Sequence, residues 1–183
     1  IWIAQQAKKW TDAVGELAYV AENHPQVAYA GLQKSLQQEW QFLQRVTEGV
    51  DDEFENIEAA LRTKFLPALF GNESLTDSQG QLTCLPVKKS GLAIPNPTET
   101  AGANWTASTV ACGHLISALR GKEKFRSVTH QSTMKEERAA TRKMNSEISA
   151  AKLAKIRRKL PDELSRTIAR GQETGAWLSV LPS

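Results

Sequence analysis

The sequence predicts an all-α protein. Apolar residues recur at three- and four-residue spacing through the first two-thirds of the chain. Helix start and stop residues, such as Asn96-Pro97 and the glycines 49 and 71, fall between those runs. Residues 131–159 are rich in Lys, Arg, Ala, Glu and Ser and contain neither proline nor glycine. The expected architecture is an array of about four to five packed helices, then a long basic helix and a short terminal helix. The expected divisions are a helical module over 1–121, a basic linker over 122–159, and the start of a further segment over 160–183.

Ile3, Trp10, Val14, Leu17 and Ala21 mark the first helix, which His24-Pro25 breaks. Pro25 opens the second, with Tyr29, Leu32, Leu36, Leu43 and Val46 as its stripe and Trp40 and Phe42 widening it. Gly49 ends it. Asp52, with Glu55 three residues on, is expected to cap a third helix carrying Phe54, Ile57, Leu61 and Phe65, which Pro67 should kink or stop. A short helix fits Thr76 to Cys84. Pro95 disfavours the α region at Ile94, so Leu92 to Ile94 should run extended. Asn96 then caps a helix with Pro97 at its first position and Glu99 placed for a capping box. That helix carries Trp105, Cys112, Ile116 and Leu119 and should end near Gly121.

The net charge of +3 conceals an asymmetry. Residues 1–121 hold 9 Lys/Arg against 13 Asp/Glu, residues 122–159 hold 12 against 4, and residues 160–183 hold 2 against 3. The net of +8 over 122–159 therefore stands beside a body of net −4. Within it, Met134, Met144, Ile148 and Ile156 are too sparse for a continuous apolar stripe. A helix polar nearly all round bridges solvent or meets a partner. The candidate contact residues are Arg138, Arg142, Lys143, Lys152, Lys155, Arg157, Arg158 and Lys159. A solvated face usually interleaves both signs, whereas an uncompensated basic helix is the footprint of a phosphate backbone. Docking on an acidic protein partner is the alternative. Ile156-Arg157-Arg158-Lys159 also resembles a nuclear-import patch.

No catalytic constellation is expected. Cys112, Gly113 and His114, with Cys84 and His24 or His130, match none of the strong zinc spacings, so no metal and no cofactor is assigned to this chain. The acidic run from Asp51 to Glu58 suits the first turns of a helix, where negative charge meets the macrodipole. The five tryptophans read mainly as core. Two cysteines make no disulfide framework. No charged-then-apolar leader opens the chain and no apolar run is long enough to cross a bilayer. An intracellular location, nuclear or cytoplasmic and not secreted, is expected, without membrane or small-molecule partners. The start at Ile1 suggests a piece of a longer protein.

Four blocks carry a resemblance: residues 24–45 (HPQVAYAGLQKSLQQEWQFLQR), 57–71 (IEAALRTKFLPALFG), 82–99 (LTCLPVKKSGLAIPNPTE) and 160–182 (LPDELSRTIARGQETGAWLSVLP). In this order they resemble the thumb and following linker of reverse transcriptases from non-LTR retrotransposons that carry a C-terminal restriction-like endonuclease. The family's loop reads roughly Leu-Pro, a few residues, Gly-Gly-Leu-Gly-Ile, then Asn-Pro. Here Ser90 and Ala93 stand at the first and third of those glycines. Gly175-Ala176 also runs straight into Trp177, where the family often has two small residues more. The resemblance implies a divergent, non-catalytic segment of an RNA-directed DNA polymerase, thumb-like over 1–121. Its partners would be an RNA/DNA template–primer duplex and the rest of the parent polyprotein. The parent polymerase would use Mg²⁺ held by a palm that precedes Ile1; Asp51-Asp52 is read as a helix cap.

Overall fold

The computed structural model describes residues 2–171. Among them there are eight helices and no strand, so the fold is all-α as expected. Helix α1 spans Trp2–Ala21. Helix α2 runs continuously over 25–46 and α3 over 55–69. The remainder are α4 (Asp77–Thr83), α5 (Pro97–Ala111), α6 (Gly113–Leu119), α7 (Ser127–Lys159) and α8 (Asp162–Gly171). The expectations for residues 172–183, Trp177 among them, lie outside the described residues.

α1 packs on both α2 and α3, and the C-terminal half of α2 lies along α5. The three-and-four spacing puts Trp10, Val14, Leu32, Trp40, Leu43, Phe54, Ile57, Leu61 and Phe65 into one core. Trp10 meets Trp40 edge-on and stacks on Phe54, with both centroid distances 6.4 Å. Its indole N–H donates to Glu39 at 2.8 Å, so the core keeps a polar outlet for that ring. Phe42 and Val46, expected on the apolar stripe of α2, face solvent instead. Phe42, two residues from Trp40, lies on the far side of the helix, and Val46 is its last residue. Trp2 is likewise exposed.

Helices α2 and α3 each contain one wide π-turn, Leu32–Leu36 in α2 and Leu61–Phe65 in α3. The second stands immediately before Pro67. Proline lacks the N–H that would close the preceding turn, and a widened turn tolerates that loss. The helix therefore passes Pro67 and stops only at Leu69. There Asn72 N–H donates to Pro67 O at 2.8 Å, and Gly71, at φ 75°, supplies the left-handed residue of a Schellman end.

Local capping differs from the sequence reading at three places. Asp52 opens a short 3₁₀ turn, Asp52–Phe54, without a side-chain cap, and its neighbour Asp51 accepts the Gly102 N–H at 3.1 Å, tying α3 to α5. Asn96 caps α5 as expected, accepting from the N–H groups of Thr98 and Glu99 at 2.9 and 3.3 Å. Glu99 does not complete a capping box; its carboxylate reaches Lys152 Nζ at 2.8 Å instead. The full capping box belongs to α4, between Thr76 and Gln79. The helix begun at Asn96 also breaks at Cys112, where ψ is 3°, before restarting as α6. Leu119 is exposed beyond that break.

The loop from Leu85 to Asn96 joins the body to α7. Leu92 and Ile94 are buried in the main core, while Leu85 packs with Leu153 and Ile156 of α7. Three side chains of α2 hold it: Tyr29 Oη and Gln33 Nε2 donate to the Leu92 carbonyl at 2.7 and 2.6 Å, and Gln37 Nε2 to that of Ala93 at 3.2 Å. The loop does not run extended. Ser90 and Ala93 adopt φ of 62° and 51°, which turns both Leu92 and Ala93 carbonyls toward those donors. Gly91 is not left-handed; it is needed because a Cβ there would overlap the Leu85 carbonyl and stand 2.7 Å from the Leu82 oxygen.

Candidate nucleic-acid interface

At 1.5 Å per residue, the 33 residues of α7 extend about 50 Å. Only Leu153 and Ile156 are buried on it. With Leu160, and Ile168 of α8, they form a second small cluster against Leu82 and Leu85. Met144 and Ile148 are exposed. Leu153, the partner of Ile156 in this anchor, is absent from the expected apolar positions. The spacing Leu153, Ile156, Leu160 is nonetheless a legible short stripe.

All eight candidate basic residues are solvent-exposed. The structure brings four of them together. Lys152, Lys155, Arg158 and Lys159 line a groove of about 520 Å³ between α7 and the body. Arg157 points elsewhere and donates from Nε to Ser165 Oγ of α8 at 3.1 Å. Arg138, Arg142 and Lys143 lie at least nine residues before Lys152, about 14 Å or more along the axis, and do not reach the groove.

The opposite wall is mixed in charge. It carries Arg62 from α3, which the sequence reading did not single out, with Glu58 and Glu99. Nothing in the sequence distinguishes Arg62 from any other exposed helix cation; only the fold aims it at α7. Its guanidinium donates to Asp77 at 2.8 Å and lies over Gly80, where a Cβ would come within 3.0 Å of Nη2. Burial raises the Glu58 pKa from its ordinary value; the Arg62 charge opposes this and Glu99 adds to it. Burial, followed by the charges of Glu58 and Glu99, pushes the Cys84 thiol up to about 11. That thiol stays protonated and has none of the thiolate character of a nucleophile.

Of the Cys/His positions weighed as ligands, His114 and His130 come together, with ring centroids 6.5 Å apart. Among the described residues, no three His, Cys, Asp or Glu side chains are grouped to hold a metal. His114 instead closes the turn into α7. Its Nε2 accepts the Arg126 N–H at 3.0 Å, its Nδ1 lies 3.1 Å from Glu123, and its ring stacks on Phe125. Cys84 and Cys112 are both free thiols. No helix among the described residues is long and apolar enough to cross a membrane.

Fold and site together define an all-α protein that carries a long cationic helix beside a mixed-charge groove. No protein-family model, curated protein or solved structure matches the chain.

Proposed function

We propose that this chain is a non-catalytic nucleic-acid-holding segment, the thumb and linker of a retroelement reverse transcriptase, which grips a template–primer duplex through its phosphate backbone. The observation that carries the reading is α7 itself, with nine exposed cations, the eight candidates and Lys135, on a helix anchored by two side chains. Such a surface binds phosphate by charge and reads no base. The backbone of the joint loop fits the resemblance. The three positions at which the family's loop has glycine are Ser90, Gly91 and Ala93. Two of them have left-handed backbone here, and the third excludes a Cβ. The polymerase's metal ligands would lie outside this chain, and Asp51 is already committed to the Gly102 N–H.

Duplex affinity should therefore fall steeply with salt, with a log–log slope near −4 if roughly four or five side chains engage. Replacing Lys155, Arg157, Arg158 and Lys159 with Ala should flatten that slope and weaken all sequences alike. Equal slopes for the wild type and this variant would remove the contact from these residues. Negligible duplex binding at low salt, with capture of an acidic protein, would favour a protein-interaction module.

A further inference from the structure

We infer that the groove between α7 and the body seats a backbone phosphate, with Arg62 as the contact from the far wall and Glu99 as a resident competitor that phosphate displaces from Lys152. This rests on the reading of α7 as a nucleic-acid contact. Five cations line the groove: Arg62, Lys152, Lys155, Arg158 and Lys159. Two carboxylates, Glu58 and Glu99, stand against them. The excess is positive, and it comes from two elements far apart in sequence.

The groove is too small for a duplex but admits one sugar–phosphate edge. No aromatic side chain lines it, so it offers no platform for a base. Arg62 is set for the role. The missing side chain at Gly80 leaves room for its guanidinium, and the single bond to Asp77 uses only part of its five N–H donors. The Asp77 side chain is 91% exposed, so water screens that pair.

The competitor is equally specific. Lys152 Nζ and Glu99 Oε2 lie 2.8 Å apart, with both side chains more than half exposed. A pair of that exposure is weak in water. A phosphate carries the same charge and more acceptor oxygens, and it takes the lysine over. Glu99 is then left facing an anion, with Glu58 nearby adding to the repulsion. The two carboxylates thus weaken phosphate binding and favour release.

Anisotropy titrations of a short mixed-sequence duplex against the whole chain, over a range of salt, test this. Glu99→Gln keeps the shape and removes the charge; it should bind about three- to tenfold tighter. Arg62→Ala should bind more weakly with a slope flatter by about 0.9, and Arg62→Lys should restore most of the loss. Thermal unfolding confirms that each variant is folded. If the wild type binds with its slope set by the α7 cations while Glu99→Gln or Arg62→Ala behaves as wild type, the groove assignment falls and the helix reading stands. If the wild type binds no duplex and is retained on polyglutamate instead, both fall.

Discussion

The body built from α1, α2 and α3 and the long helix α7 are both helical, yet they are held by different means. Trp40, Phe54, Phe65 and Leu32 of the body are essentially fully buried. The 33-residue α7 buries only Leu153 and Ile156. Full burial of such a side chain contributes about 1.5–3 kcal/mol, so α7 is positioned by a two-residue anchor, assisted by the exposed Lys152–Glu99 pair. The difference has a consequence for function. A helix held mainly by apolar anchors leaves most of its charged side chains free for a ligand. A core helix has no such freedom. The loop from Leu85 to Asn96 belongs to both regimes, because Leu92 and Ile94 enter the body core while Leu85 enters the α7 cluster.

The largest effect should come from breaking that joint. In Gly91→Val, the new side chain would overlap the Leu85 carbonyl, a backbone atom that cannot swing aside. Overpacking usually costs about 1–3 kcal/mol, and this site should exceed that range or fail to fold. Both regions should loosen together, seen as a lower denaturant midpoint and lost exchange protection in α3 and α7 alike. A wild-type midpoint would show that the loop can shift and is not the joint described.

A smaller and more local effect separates the two regimes. Ile156→Ala removes the more deeply buried anchor of α7. Such truncations cost about 2–5 kcal/mol in a continuous core, and the low end applies to so small a cluster. Amide protection should fall over residues 150–159 and α8, while the body's unfolding midpoint stays close to wild type. Equal loss of protection in α1 and α2 would mean that α7 belongs to the main cooperative unit.

The same contrast governs what the sequence reveals. Stripes that feed one core were legible: Phe54, Ile57, Leu61 and Phe65 are all buried as their spacing foretold. Exposed charge was legible too, as the eight cations show. What escaped depends on contacts between distant segments. Glu99 forgoes a capping box because Lys152, 53 residues away, competes for it. Asp51 turns from its own helix to Gly102. Arg62 becomes part of the groove only once α3 faces α7. Local propensity carries no information about any of these.

The subtlest test lies inside the joint, at its two left-handed non-glycine residues. A side chain in that conformation costs roughly 1–2 kcal/mol, whereas glycine costs about 0.5–1 kcal/mol in extra chain entropy. Ala93→Gly should therefore stabilise by about 0.5 kcal/mol, since the alanine methyl makes no hydrogen bond and the Gln37 contact goes to the backbone carbonyl. Ser90→Gly relieves the same strain but deletes another bond. Ser90 Oγ donates to the Ile168 carbonyl of α8 at 3.0 Å, and a hydrogen bond of this kind contributes about 0.5–1.5 kcal/mol. The two effects should cancel or leave a small loss, placing Ser90→Gly about 1 kcal/mol below Ala93→Gly. Paired denaturant unfolding curves measure that gap directly. If Ser90→Gly stabilises as much as Ala93→Gly, the tie to Ile168 contributes nothing, and α8 is held to the body by Leu160 and Ile168 packing alone.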